Sequence, residues 1–112
     1  MGNAEKKLVT DILICIETIE KYIVSCKTFN EYERNFLIQD AIERNLITIG
    51  EALKQLLTLY PEIPITNARR VVDARNKLTH GYDEIENVQV WSILINHLPI
   101  LKTEAKNILS EN

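Results

Sequence analysis

Apolar residues recur at steps of three and four along most of this 112-residue chain, as one buried face of a helix requires. The spacing predicts four helices, over about residues 4–26, 31–59, 68–79 and 87–109. A low aromatic content of 6%, with three Gly and three Pro, also favours helices over sheets. The sequence therefore predicts an all-α fold, a four-helix up-down bundle that occupies residues 1–112 as a single domain.

Helix-breaking residues refine this prediction. Gly50 lies inside the second helix, where it costs about 1 kcal/mol relative to Ala, so another backbone is expected to approach it, within the bundle or across a dimer. Thr66 or Asn67 is expected to cap the third helix, Gly81 to end it, and Pro99 to kink or interrupt the fourth. The second and fourth helices are apolar on more than one stripe, which indicates a second buried surface that a homodimer supplies.

Charge and composition exclude several classes of protein. Thirteen basic and sixteen acidic residues give a net charge of −3, which argues against a protein that coats nucleic acid through its overall charge, but leaves room for a local basic site. Both cysteines, Cys15 and Cys26, are assigned to the first helix, about 16 Å apart and too distant for a disulfide. No metal-ligand spacing and no long apolar run is present, so we expect no metal, no cofactor, no membrane span and a cytoplasmic location.

The two histidines differ in their surroundings. His97 lies among apolar residues of the fourth helix, which is typical of a histidine at the edge of a core with a satisfied hydrogen bond. His80 belongs to the most polar stretch of the chain, residues 73–82. On a continuous helix His80 lies about 40° from Asn76 but about 140° from Arg75. Arg75 and His80 therefore meet only if the helix unwinds near Thr79, or if two chains bring them together across a dimer axis.

An Arg, a His and a Tyr near one helix end suit the cleavage of RNA. A neutral imidazole can deprotonate the 2′-hydroxyl, and a guanidinium can stabilise the charge that builds on the phosphate, without a metal. The surrounding helix is locally basic, and its cations are candidates for contacting RNA phosphates: Arg69, Arg70 and Lys77. The alternative is a solvated, terminally charged helix that is stabilised by its own dipole, and the spacing by itself favours this alternative.

The extended pattern resembles a known family. Residues 75–82, Arg-Asn-Lys-Leu-Thr-His-Gly-Tyr, resemble the R-N-x-L-x-H-G-Y signature of HepT-like HEPN proteins. Residues 41–52 are similar to the second helix of that family, above all in Ile-Gly-Glu-Ala at 49–52, and the Pro-Glu-Ile-Pro break at 61–64 and Val90-Trp91 also match. The chain departs from the family at Ile65, where many relatives have Trp, and at Asp73-Ala74, where many have Gly and an apolar residue.

The resemblance implies a two-fold homodimer in which Arg75 and His80 are the catalytic pair of a composite cleft. It implies a metal-independent endoribonuclease toxin of a type VII toxin–antitoxin system, with transfer RNA or messenger RNA as substrate. Tyr82 matches the tyrosine that the partner antitoxin, a minimal nucleotidyltransferase, modifies with AMP. Glu51 and Asn76 are candidates for orienting the catalytic pair.

Two other hypotheses remain open at this point. The first is a non-catalytic binding module, in which the same basic cleft holds a nucleotide or serves as a scaffold for a nucleotidyltransferase. The second is a purely structural helical dimer, in which the polar stretch only stabilises a helix end. Cleavage that survives chelation and disappears in His80→Ala distinguishes the ribonuclease from both.

Overall fold

The computed structural model describes residues 1–80 and 85–111, and within these ranges the chain folds into helices without any strand. The elements in chain order are α1 (Asn3–Ile23), α2 (Phe29–Glu33), α3 (Phe36–Leu59), α4 (Ala68–His80), α5 (Asn87–Ser92), a π-helical segment (Ile93–His97) and α6 (Leu98–Ser110). This confirms the all-α prediction. Anywhere in the described ranges, no helix is both long and apolar enough to cross a membrane.

The core forms where α1 packs against α3 and α6, and where α3 also packs against α4. The three-and-four stepping correctly identified most of its members, which are fully buried: Ile12, Ile16, Ile19, Ile42, Leu46, Ile49, Leu53, Leu56 and Leu101. The same stepping predicts that Phe36 and Tyr60 are buried on the second helix, and both predictions are wrong. Phe36, the first residue of α3, is 75% exposed, and Tyr60, which follows its last residue, is 38% exposed.

The predicted second helix is divided into two. Its boundary lies at Asn35, whose side chain accepts a hydrogen bond of 3.0 Å from the Ile38 N–H and so caps the start of α3. Gln39 is 7% exposed, and its amide nitrogen donates to the carbonyl oxygens of Tyr32 and Glu33 at 2.9 and 3.0 Å. These bonds satisfy the end of α2, which explains why the helix stops and restarts there.

The first helix is shorter than predicted. It ends at Ile23, and Cys26 lies in the following turn, where its N–H donates to the Ile23 carbonyl at 2.8 Å. The two cysteines therefore do not share a helix, but both are free thiols, Cys26 buried and Cys15 half-buried.

Pro99 interrupts the last helical stretch, as predicted, through a π-helical turn. The Leu98 N–H bonds to the carbonyl of Ile93, five residues earlier, instead of four. Pro99 itself then lies at the start of α6, where its missing N–H is tolerated because no intrahelical partner exists there. The extra residue in the turn changes the direction in which the side chains of 93–97 point relative to a regular helix.

Helix α5 is fixed to α2 by aromatic contacts. The Trp91 ring lies 6.2 Å from that of Phe29 in an edge-on arrangement and 5.5 Å from that of the fully buried Tyr32. Because α5 packs on α2 while α4 packs on α3, a groove remains between α4 and α5.

Candidate active site

Gly50 determines how closely α3 and α4 approach. A methyl group added at Gly50 would collide with Arg75 Cβ, would lie 2.9 Å from Arg75 Cγ and 3.2 Å from the carbonyl oxygen of Val71. The close approach of another backbone that Gly50 predicts therefore occurs inside the bundle, between α3 and α4. Its consequence is that the stem of Arg75 crosses directly over the backbone of α3.

The guanidinium of Arg75 is held by two oxygen atoms. Its Nη1 donates to the side-chain oxygen of Asn76 at 2.9 Å, and its Nη2 lies 3.5 Å from a carboxylate oxygen of Glu51. The side chain of Arg75 is 19% exposed, so only its end reaches solvent. Glu51 and Asn76, the two candidates for orienting the catalytic pair, both contact Arg75. A contact of 3.5 Å is long for a hydrogen bond, so the Asn76 bond is the stronger of the two.

Helix α4 continues through His80 without unwinding. The Thr79 hydroxyl donates to the carbonyl oxygens of Arg75 and Asn76 at 2.9 and 3.3 Å, as in a regular helix. Arg75 and His80 of one chain therefore remain about 140° apart around α4, with Arg75 against α3 and His80 exposed. Of the two ways in which the pair was predicted to meet, unwinding near Thr79 does not occur in the described residues.

The other predicted phosphate contacts lie away from Arg75 on α4. Arg69 and Arg70 are exposed, and Lys77 is half-buried. Arg70 and Lys77 line the groove between α4 and α5, together with Asp73. Arg69 lines a neighbouring depression of about 380 Å³ with Thr66 and Asn67. Arg70 and Lys77 thus share one face of α4, which is not the face of Arg75.

His97 differs from its prediction in one respect. It lies at the edge of the core, but its Nδ1 is buried and has no hydrogen-bond partner among the described residues. Burial lowers the pKa of its imidazole below the ordinary value of 6.5, and the positive charge of Arg70 lowers it further. His97 is the last residue of the π-helical turn, and it lines the groove with Arg70 and Lys77.

Two predictions fall on residues 81–84, outside the described residues: the modification of Tyr82 and the termination of the third helix by Gly81. The capping of α4 by Thr66 or Asn67 also stays a prediction. The N–H and the hydroxyl of Thr66 donate hydrogen bonds to the carboxylate of Glu104 at 3.0 and 3.2 Å. These bonds attach the segment before α4 to α6. In the described ranges, no three His, Cys, Asp or Glu side chains form a metal-binding group.

Sequence reasoning missed the groove between α4 and α5. Two signals for it exist in the sequence: Pro99, which requires an irregular turn beside His97, and the i, i+7 spacing of Arg70 and Lys77, which places both cations on one face of a helix. Neither signal predicts a cavity by itself, because the distance between α4 and α5 depends on the packing of Trp91 against α2.

Comparisons with known proteins identify the family of the chain. A family model described as "Ribonuclease HepT-like" matches residues 12–108. The chain is 34% identical to "Putative RNase MJ0127" of Methanocaldococcus jannaschii over 75% of this chain and 70% of that protein. It is 28% identical to "Putative RNase MJ1216" of the same organism over 95% of this chain and 88% of that protein. It is 31% identical to "Probable ribonuclease HepT" of Thermococcus cleftensis over 91% of this chain and 93% of that protein.

The all-helical fold and the Arg-Asn-x-Leu-x-His motif on α4 place the protein in the HEPN class. Within that class, the chain belongs to the HepT-like ribonuclease family. No solved structure matches it.

Proposed function

We propose that this protein is a metal-independent endoribonuclease toxin of a type VII toxin–antitoxin system, with Arg75 and His80 as its catalytic pair. The observation that carries the proposal is the position of Arg75, which Gly50, Glu51 and Asn76 fix on the helix that also carries His80. A guanidinium that is fixed before substrate arrives stabilises developing charge without reorganisation. An exposed imidazole, the His80 side chain of a second copy of the chain, supplies the base.

The proposed chemistry uses the nucleophile of RNA itself. His80 takes the proton of a 2′-hydroxyl, and the 2′-oxygen attacks the adjacent phosphorus. The bond from phosphorus to the 5′-oxygen breaks, the leaving oxygen takes up a proton, and the products carry a 2′,3′-cyclic phosphate and a 5′-hydroxyl. Arg75 binds the non-bridging oxygens as charge builds on them, while Asn76 and Glu51 hold the guanidinium in place.

A homodimer forms part of the proposal. Because α4 is continuous, the Arg75 and His80 of one chain point about 140° apart and do not face one phosphate together. Two copies related by a two-fold axis can place Arg75 of one chain opposite His80 of the other. We propose that the RNA lies in this shared cleft, and that either transfer RNA or messenger RNA can be the substrate.

The proposed regulation acts on Tyr82, two residues after His80 in the sequence. A partner nucleotidyltransferase would attach AMP to the phenolic oxygen and place a bulky anion beside the cleft. That charge and volume would exclude the phosphates of RNA. Co-expression with the partner followed by mass spectrometry of the Tyr82 peptide tests this part, and a peptide without AMP contradicts it.

The experiment that tests the function is cleavage of a total-RNA pool by the purified dimer in EDTA. We expect cuts with 2′,3′-cyclic phosphate ends, reduced about 10²-fold or more in Arg75→Ala and His80→Ala. The matched control is Arg34→Ala, which removes an exposed arginine at the end of α2 and should cut RNA as wild type does. No cleavage by dimeric wild type that is unmodified at Tyr82 would favour the non-catalytic binding module.

A further inference from the structure

The exposed face of α3 carries two opposite charges, Arg44 and Glu51, that do not pair with each other. They lie about 20° apart around the helix and about 10.5 Å apart along it. In the described ranges Arg44 forms no ion pair, and Glu51 is 49% exposed with a single long contact to Arg75 at 3.5 Å. Both charges are therefore accessible to a partner from outside the chain.

The same face of α3 has an exposed apolar residue at each end. Leu37 is 81% exposed and Leu59 is 54% exposed. Together with the two charges they lie within an arc of about 80° around the helix, and the exposed Thr48 lies near the middle. The face thus reads apolar, basic, polar, acidic and apolar. It is complementary to an antiparallel second copy of itself, because each charge then meets the opposite charge and each apolar end meets an apolar end.

Helix α4 indicates the same two-fold axis. It follows α3 after the short segment 60–67 and runs back along it. Arg75 lies at the level of Gly50 on α3, and His80 lies about 7.5 Å further along α4, at the level of the α3 residues before Thr48. A two-fold axis beside Thr48 exchanges these two levels, so it brings His80 of a second copy level with Arg75.

We infer that α3 packs antiparallel against α3 of a second copy, and that Arg44 of each copy pairs with Glu51 of the other. The inference rests on the proposed function, which includes the dimer, and assigns a positioning residue to its site. The contact of Glu51 to Arg75 uses one carboxylate oxygen, Oε1, so a guanidinium of the second copy can donate to the other oxygen. A carboxylate held on both sides keeps one orientation, so Arg75 is fully positioned only in the dimer.

The experiment reverses the two charges in separate full-length chains, Arg44→Glu and Glu51→Arg. Sedimentation equilibrium gives the dissociation constant of the dimer for each variant and for their equal mixture. In either homodimer like charges meet at both pairs, so we expect dimers at least about tenfold weaker than wild type. In the heterodimer opposite charges meet at both pairs, so its dissociation constant should return to within about threefold of wild type.

A mixture of Arg34→Glu with Glu62→Arg is the matched control. It reverses the same charges at exposed positions outside this face, and each of its dimers should be as tight as that of wild type. A monomeric wild type, variant homodimers as tight as wild type, or a heterodimer no tighter than the homodimers would each overturn the inference.

Neutral variants provide a second measurement that does not depend on repulsion. Arg44→Gln and Glu51→Gln each remove both ion pairs from the homodimer, so the double variant should dimerise about as weakly as either single variant. Losses of dimer affinity that simply add in the double variant would contradict the pairing.

RNA cleavage in EDTA separates this inference from the proposed function. In the heterodimer, Glu51 of the Arg44→Glu chain is held by Arg44 of the other chain, so one of two sites is complete and about half of wild-type cleavage should return. A restored heterodimer that stays inactive while wild type cuts RNA overturns the positioning role of Arg44. Wild type that cuts RNA but whose dimer does not respond to charge reversal contradicts only this inference, whereas a restored heterodimer of a protein whose wild type cuts no RNA contradicts only the proposed function.

Discussion

Helix α4 carries Arg75 toward α3 and Arg70 toward α5, and the two arginines are held in different ways. Arg75 is 19% exposed, crosses Gly50 and contacts the oxygens of Asn76 and Glu51. Arg70 is exposed and, within the described residues, has no ion-pair partner. A guanidinium fixed by packing suits charge stabilisation at one defined atom, whereas an exposed one without an ion-pair partner suits the binding of an anion that arrives from solution.

The largest effect on stability and on RNA cleavage is expected from Gly50→Ala, which adds a methyl group where α3 and α4 are in contact. The added methyl collides with Arg75 Cβ and meets a backbone oxygen, so α4 must move away from α3. Overpacking of this kind costs about 1–3 kcal/mol and outweighs the gain of about 1 kcal/mol in helix propensity. We expect a free energy of unfolding lower by up to about 2 kcal/mol, together with nearly complete loss of RNA cleavage.

Urea unfolding and the EDTA cleavage assay measure these two effects. Thr48→Ala is the control, since it also places Ala in α3, at an exposed position whose hydroxyl bonds to its own helix. If Gly50→Ala proved as stable and as active as wild type, the close contact would not be what positions Arg75.

A smaller effect is expected from Glu51→Gln. The charge of Glu51 is lost but its shape is kept, and a pair at 3.5 Å whose carboxylate is 49% exposed contributes less than about 1 kcal/mol to stability. We expect unchanged unfolding and a decrease in kcat of up to about tenfold, since the guanidinium loses one of its two contacts. Steady-state kinetics measure it, with Glu62→Gln as an exposed control. A loss as large as that of Arg75→Ala would indicate that Glu51 takes part in the chemistry.

The smallest predicted effect is on the pKa of His97, on the side of α4 that faces the groove. Burial first and Arg70 second lower the pKa of His97, so Arg70→Gln should raise it part of the way toward 6.5. Between the lowered pKa and 6.5, the unfolded chain binds more protons than the folded chain. The free energy of unfolding therefore decreases as the pH falls through this window. In Arg70→Gln this decrease should be less steep. NMR titration of the His97 ring protons measures the pKa. An unchanged value would show that Arg70 does not act on the groove.

The elements predicted from the sequence were those fixed by local spacing. Helices α1, α4 and the stretch from α5 to α6 follow from apolar periodicity, because one buried stripe is enough to define each of them. The break at Asn35 was missed, although Asn is a preferred N-cap, because the apolar spacing continues across it. Its decisive feature is the bonding of Gln39 to the end of α2, which depends on tertiary folding.

In the candidate site, too, the sequence predicted local features and missed those that depend on tertiary packing. The sequence predicted a close backbone approach at Gly50 and named Glu51 and Asn76 as orienting residues, but it left open which side chains they contact. The pairing of both with Arg75 depends on the packing of α3 against α4. The unpartnered Nδ1 of His97 was not predicted, because the π-helical turn that places it follows from Pro99 together with the packing of its neighbours.

The most direct test of the account is subunit mixing. Arg75→Ala chains and His80→Ala chains are purified separately, mixed, allowed to exchange, and assayed for RNA cleavage in EDTA. If one site takes Arg75 from one chain and His80 from the other, each hybrid dimer keeps one intact site, and an equal mixture should recover about a quarter of wild-type activity while each variant alone is inactive. A mixture that contains hybrid dimers and remains inactive would contradict the composite site.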